Sequence, residues 1–293
     1  PATLPLVALL FQWRRGVHGL ERYAVAGAAW LALTVSAFGL NAAITDKQMH
    51  FWSSSLAVYD LVGTIAKTDH ALPDAELERT LAGTGLLVHD DIQAKARALF
   101  NPRDFLPIIS DEQRRFWDLP AYGTTPVPEA TREAIGRAWA DVLTSHPGAY
   151  LRYRAAVMAE VLSLTHPRPS GVVPRRDFKV PAFAWAQGVP TRTSPAQHRL
   201  TSWMSSLWKV APIFVPWMYV ILAITIAILA IARRGRRDIL ALCASGLAME
   251  ASLCVLAMSP DYRYSHWLVV TTCLAIVLTI ARRATRSTAT APA

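Results

Sequence analysis

Residues 211–232 read APIFVPWMYVILAITIAILAIA, residues 239–259 read ILALCASGLAMEASLCVLAMS, and residues 264–281 read YSHWLVVTTCLAIVLTIA. Each run approaches the ~20 residues that a helix rising ~1.5 Å per residue needs to cross ~30 Å of hydrocarbon. Runs this long with so few charges are rare in the interior of a water-soluble domain. Arg233-Arg234-Gly235-Arg236-Arg237 separates the first two runs, and Arg282-Arg283, then Arg286, follows the third. Between the second and third lies Ser259-Pro260-Asp261-Tyr262-Arg263-Tyr264-Ser265-His266. If all three runs span, both arginine clusters fall on one side and the tyrosine-rich loop on the other. The positive-inside rule then places the clusters in the cytoplasm and the loop outside.

The charge distribution agrees with that reading. The whole chain of 293 residues is 53% hydrophobic and carries 30 basic and 21 acidic residues. Residues 45–210 hold 19 of the basic and 17 of the acidic residues, so this segment is nearly neutral. Of the basic residues outside it, all but Arg263 flank apolar runs on the inferred cytoplasmic side: Arg14, Arg15, Arg22, Arg233, Arg234, Arg236, Arg237, Arg282, Arg283 and Arg286. The net charge of +9 is therefore a topology signal, with no basic stripe left for a nucleic acid. The three cysteines, Cys243, Cys254 and Cys273, all sit within apolar runs and form no disulfide framework or thiolate metal site.

Upstream, residues 1–13 are apolar but too short to span, and they read as the tail of a membrane helix whose start is missing, with a stub lying at the interface as the alternative. They lack the basic leading region and cleavage site of a signal peptide. Residues 24–44 read as a full transmembrane helix, with Asn41 near its outer end in need of a partner. Residues 45–210 then form a mainly helical insertion on the periplasmic side. Within it, Met49–Lys67 has Trp52, Leu56, Tyr59 and Gly63 at helical spacing, with three serines on the other face. Asp74 and Glu76 suit the first turn of a helix after Pro73, and Gly83-Thr84-Gly85 is a turn. Asp90–Phe100 is a short helix, and Thr124–Pro128 an extended link. Pro128–Ser145 and Ala149–Leu164 form a helical hairpin broken at His146-Pro147. Its stripes are Ile135, Trp139, Val142 and Leu143, then Tyr150, Tyr153, Val157, Val161 and Leu164. Arg168–Ser194 is a long loop suited to a lid or a docking surface. Gln197–Val210 is amphipathic and suits the outer interface. The predicted fold is thus mainly α: a polytopic helical membrane protein with four full spans at 24–44, 211–232, 238–259 and 264–281. Residues 282–293 are its cytoplasmic tail.

Several polar groups stand out for chemistry. Asp261, Arg263, Tyr264 and His266 crowd the outer mouth between two spans, where a guanidinium fork suits a phosphate or carboxylate. The alternative there is an aromatic belt with an Asp–Arg pair tying helix ends. Glu250 sits near the centre of its run, so it faces the bundle as a protonated interhelical group, or couples protons or binds substrate. Asp46 and Asp60 are candidate catalytic carboxylates near the membrane. His70, His89, His146 and His166 lack a metal spacing, and His146 and His166 precede Pro at helix ends. No phosphate loop, nucleophile elbow or zinc helix is present, and no cofactor is evident, although a divalent metal stays open.

Three segments carry a resemblance: Ala57-Val58-Tyr59-Asp60-Leu61; Thr144-Ser145-His146-Pro147-Gly148-Ala149-Tyr150-Leu151-Arg152-Tyr153-Arg154; and Ser259-Pro260-Asp261-Tyr262-Arg263-Tyr264. The chain resembles bacterial inner-membrane proteins with the look of GT-C glycosyltransferases. These carry a His-Pro-x-x-Tyr-x-x-x-Arg helix in a periplasmic domain and a Pro-x-x-Arg-Tyr loop before the last spans. The resemblance implies a multi-span bundle that transfers a sugar from a polyprenyl-phosphate donor at the outer face. It also implies a carboxylate base on a first outer loop. That acidic loop and its early spans are not visible here, Asp46 matches no such motif, and Arg263 alone is carried over, as a phosphate contact. The expected function is a membrane glycosyltransferase-like protein of envelope polysaccharide or glycolipid assembly, with membrane lipid and a polyprenyl-phosphate sugar as partners. The alternatives are a transporter or flippase, for which Glu250 is the clue, and a non-catalytic envelope scaffold.

Overall fold

The computed structural model describes residues 3–10, 19–44, 52–86, 90–109, 127–166, 194–210, 214–232 and 236–289. The protein is mainly helical. Asp46, His89, residues 168–193 of the long loop, and the arginines at 14, 15, 233 and 234 lie outside the described residues. Three helices are long and apolar enough to cross a membrane: Tyr23–Ile44, Arg237–Leu256 and Tyr262–Arg282. The fourth expected span is shorter than the sequence suggests. Its helix covers Pro216–Ala232, 17 residues, which rise about 26 Å against the ~30 Å of a bilayer core. Pro216 is tolerated at the first helical position because it has no N–H to leave unsatisfied.

The chain divides into two compact units, one of Pro1–Glu160 with Ala251–Ser259 and one of Val161–Glu250 with Pro260–Ala293. In the first unit α1 (Leu4–Leu10) lies against α2 (Gly19–Ile44), where the Trp30 indole donates to Thr3 Oγ1 at 2.8 Å. The rest of α2 exposes its apolar residues all round, Leu33 and Phe38 among them.

A π-helical turn, Trp52–Leu56, runs into α3 (Ala57–Ala66). Every residue from Ala57 to Ile65 is buried. Ser53 and Ser55, on the serine face of the predicted Met49–Lys67 helix, are buried too. The last carbonyls of a helix have no partner within it, and at the end of α3 and in the turn after it side chains of other helices supply donors. Arg97 donates to the Ala66 and Thr68 carbonyls at 3.3 and 2.9 Å. Gln93 donates to those of Ile65, Thr68 and His70 at 3.4, 3.2 and 3.0 Å, and Arg152 to that of Lys67 at 3.1 Å. Arg97 and Gln93 belong to α5 (Ile92–Leu99). The N-terminus of α5 is held in turn by Asp74, at the start of α4 (Asp74–Leu81). The Asp74 carboxylate accepts the Asp91 and Ile92 N–H groups at 2.9 and 3.1 Å, a favourable place for a negative charge. A short helix, α6 (Leu106–Ile109), follows.

The two helices predicted on either side of His146-Pro147 form as α7 (Glu129–Ser145) and α8 (Pro147–Val161). Val142, Tyr153, Val157 and Val161 of the two stripes are buried, whereas Leu164 lies beyond α8 and is exposed. The His146 ring faces that of His70 with centroids 5.5 Å apart.

The second unit contains α9 (Pro195–Val210), α10 (Pro216–Ala232), most of α11 (Arg237–Leu256) and α12 (His266–Ala289). Ala223, Ile226 and Ala230 of α10 meet Ile239, Cys243, Leu268 and Ala275 in one apolar core. The helices α11 and α12 form a hairpin. At one end Arg282 holds Asp238 through two hydrogen bonds of 3.1 and 2.5 Å. Toward the other end the Trp267 indole donates to Ser245 Oγ at 2.9 Å. Gly246 lets the helices approach closely: a Cβ there would collide with Thr271 Oγ1 and lie 3.2 Å from Leu268 Cα.

The same device sets the middle of the first unit. A Cβ on Gly63 would fall 2.5 Å from Cδ2 of Tyr153. Gly63→Ala should therefore displace the Tyr153 ring and destabilise the fold by about 1–3 kcal/mol, the usual cost of overpacking a core. Thermal unfolding of the detergent-solubilised protein, followed by tryptophan fluorescence, measures this; an unchanged midpoint would show that α3 and α8 are not in contact at Gly63.

Candidate functional site

The most concentrated polar chemistry lies inside the first unit, around Asp60. This carboxylate is 1% exposed. α7 brings Trp139, whose Nε1 donates to Asp60 Oδ2 at 2.8 Å. α8 brings Tyr153 and Arg154 on consecutive positions. The Tyr153 hydroxyl donates to Oδ1 at 2.9 Å, and Arg154 Nη2 forms an ion pair with the same oxygen. Arg154 is itself 5% exposed. Its Nη1 donates to the carbonyl of Ala257 at 2.8 Å, while its Nε has no hydrogen-bond partner among the described residues. The guanidinium carbon stands 4.9 Å from the centre of the Tyr153 ring, close enough for a cation–π contribution.

An apolar surround completes the site. The ring of Tyr59 packs edge-on against Tyr153 with centroids 5.5 Å apart, and Phe100 stands 5.4 Å from Tyr153. The Tyr59 hydroxyl donates to the Asn101 carbonyl at 2.8 Å. Trp52 packs edge-on against Trp139 at 5.6 Å. Burial pushes the Asp60 carboxyl above its ordinary range, with Arg154, Trp139 and Tyr153 pulling the other way. Burial likewise raises the Tyr153 hydroxyl well above the usual phenol range, helped by the neighbouring Asp60. Tyr153 therefore stays protonated and serves Asp60 as a donor. Both carboxylate oxygens accept hydrogen bonds and the group is buried, so Asp60 is not open to solvent as a general base meeting a substrate would be.

The second cluster lies in the second unit, at the turn between α11 and α12. A 3₁₀ turn, Tyr262–Ser265, leads into α12. Asp261 caps it: Oδ1 accepts the Arg263 N–H at 2.9 Å. The Arg263 side chain folds back onto the same carboxylate, with Nε and Nη2 at 2.8 and 2.5 Å from Oδ2. Arg263 and His266 are exposed, while Tyr264 is half-buried and its N–H donates to the Asp261 carbonyl at 3.0 Å. Tyr262 is buried and stacks edge-on with His266 at 5.2 Å and with Phe214 at 5.9 Å. The Asp–Arg pair expected to tie two helix ends forms within one turn instead. A two-residue separation lets the same carboxylate take both the main-chain and the side-chain donors.

Glu250 is 2% exposed. Its Oε1 accepts the Ser265 hydroxyl at 3.0 Å, and its Oε2 has no hydrogen-bond partner among the described residues. The structure thus joins Glu250 to the Tyr262–Ser265 turn through Ser265, a residue that sequence reasoning did not single out. It also missed Arg154, Tyr153 and Trp139 as partners of Asp60. A signal existed for Arg154: it sits one residue after Tyr153, on the stripe side of a helix that is otherwise apolar there. Among the described residues no three His, Cys, Asp or Glu side chains gather as metal ligands would.

No family model, no curated protein and no solved structure matches the chain.

Removing one member of a buried ion pair leaves the other charged and unanswered, at a cost of about 3–5 kcal/mol. Asp60→Asn and Arg154→Met should each destabilise the protein on that scale. The double variant should lose much less than the sum of the two, because neither charge is then stranded. Thermal unfolding of the three variants beside the parent protein checks this; additive losses would contradict a direct pair.

Proposed function

We propose that the chain is a multi-pass membrane protein that binds a lipid-linked phosphate at the Asp261–His266 turn, in the manner of the GT-C glycosyltransferases it resembles. One observation carries the reading: the Arg282–Asp238 pair draws the start of α11 and the end of α12 together. Arg237 and Arg282 then share one end of the hairpin, and the Asp261–His266 turn occupies the other. With the basic end in the cytoplasm, the turn faces the periplasm together with residues 45–210.

At that turn Arg263 presents an exposed guanidinium on a capped, rigid backbone. Asp261 takes Nε and Nη2, which fixes the direction of the group, and Nη1 makes no hydrogen bond among the described residues. His266 adds a second exposed donor one helical turn away. A phosphate emerging from the bilayer surface on a polyprenyl chain would meet these groups where water is partly excluded and charge-assisted hydrogen bonds strengthen. A sugar phosphate leaving group held this way would be stabilised as its negative charge develops.

The engaged state of Asp60 favours a second reading, in which the outer domain holds rather than transforms its ligand. The acceptor-activating carboxylate of a glycosyltransferase must reach a substrate hydroxyl, and Asp60 is committed to Arg154, Tyr153 and Trp139. In this reading the Asp60 cluster organises the outer domain of an envelope scaffold.

Binding of a polyprenyl-phosphate analogue to the protein in nanodiscs separates phosphate recognition from its absence. Loss of a charge-assisted hydrogen bond should weaken binding by about tenfold or more in Arg263→Ala. Equal affinity of the parent and Arg263→Ala would remove the phosphate role.

A further inference from the structure

The amphipathic helix α9, Pro195–Val210, has no role in the site above. Leu200 is 55% exposed and Trp203 is 60% exposed. With Leu207 they fall at i, i+3 and i+7, one face of a helix. The opposite face carries His198, Ser202 and Ser206. An exposed leucine and tryptophan with a half-buried leucine on one side, and polar residues on the other, is the pattern of a helix that lies flat at a bilayer surface.

Two further observations name the occupant of that face. The first is position. α10 begins at Pro216, six residues beyond Val210. Six residues reach at most about 20 Å when fully extended. α10 packs on the candidate span α12 through Ala223, Ile226 and Ala230, and exposes Ile221, Ile224, Ile228 and Ile231 on its other side. These four also sit at i, i+3, i+7 and i+10, a continuous apolar stripe with lipid as its natural solvent. The helix α9 is thus tethered within reach of the level at which α10 meets the headgroups. The second observation is charge. The helix includes Arg199 and Lys209 and no acidic residue, so it complements an anionic surface.

We infer that Pro195–Val210 is an interfacial helix that seats Leu200, Trp203 and Leu207 in the acyl boundary of a bilayer carrying anionic lipid headgroups. This rests on the membrane reading above and not on the phosphate role of Arg263. The helix then fixes the depth at which the chain leaves the outer domain and enters α10.

The test uses the full chain, with its three cysteines replaced by serine, in phosphatidylcholine vesicles containing phosphatidylglycerol. Single cysteines at 198, 200, 202, 203, 206 and 207 carry a nitroxide, whose relaxation by oxygen and by a water-soluble nickel chelate is compared. A label at Leu33 in α2 reports on the spans. The expected result is an oxygen-to-nickel ratio severalfold higher at 200, 203 and 207 than at 198, 202 and 206, with Leu33 high. Arg199→Glu should reduce that contrast, and an unchanged contrast would overturn the anionic headgroup as partner. Nickel-accessible labels at 200, 203 and 207 with Leu33 still oxygen-rich would overturn the interfacial helix and leave the spans standing. Labels at 200, 203 and 207 closed to both reagents would show a protein surface against that face, which also overturns it. A nickel-accessible Leu33 would overturn the membrane reading itself.

Discussion

A carboxylate removed from water has to be answered by the protein, and the way Asp60 is answered organises the first unit. Three donors converge on it from two helices that follow it by 79 to 94 positions in sequence. The desolvation cost of such a charge is several kcal/mol, so the pair is tolerated only where geometry and additional hydrogen bonds are good. Gly63 contributes by omission, since the absence of a side chain lets the Tyr153 ring lie against α3. Arg154 then extends the arrangement to the Ala257 carbonyl. A buried helix, a glycine, a tyrosine and an arginine form one connected unit, and the loss of any member affects the others.

Glu250 is answered less fully. Ser265 satisfies one oxygen, and the other has no partner among the described residues. The same hydrogen bond ties the middle of α11 to the turn that presents Arg263. At the other end of the hairpin the Arg282–Asp238 pair closes the helices against each other. Between the two, Ser245, Gly246 and Thr271 keep the contact narrow, as small and hydroxylated residues do where helices meet without water between them.

The helices were legible in the sequence because apolar periodicity and end signals are local. The Pro128 start, the His146-Pro147 break and the Asp74 turn needed no tertiary information. The length of α10 was overestimated because composition continues apolar before Pro216, whereas the helix itself does not begin until that residue. The burial of Met49–Lys67 on both faces was not legible, because the serines that mark its second face are short enough to be buried among neighbouring helices, as Ser53 and Ser55 are. The Asp60 cluster was not legible at all as a cluster. Asp60 stood out as a lone carboxylate and Arg154 as part of a motif, but pairing across some 90 residues is a property of the packed helices. The Asp261–Arg263 pair was legible as one of two alternatives, and only the backbone of the turn shows that it closes within that turn.

The account depends on which side of a bilayer each end of the α11–α12 hairpin occupies. Cysteines placed one at a time at Thr144, within residues 45–210, and at Arg237, at the basic end of the hairpin, can be exposed to a membrane-impermeant maleimide on intact cells. The account predicts that the cysteine at 144 is labelled once the reagent reaches the periplasm. The cysteine at 237 should be labelled only after the membrane is permeabilised. Labelling of both from the same side would contradict it.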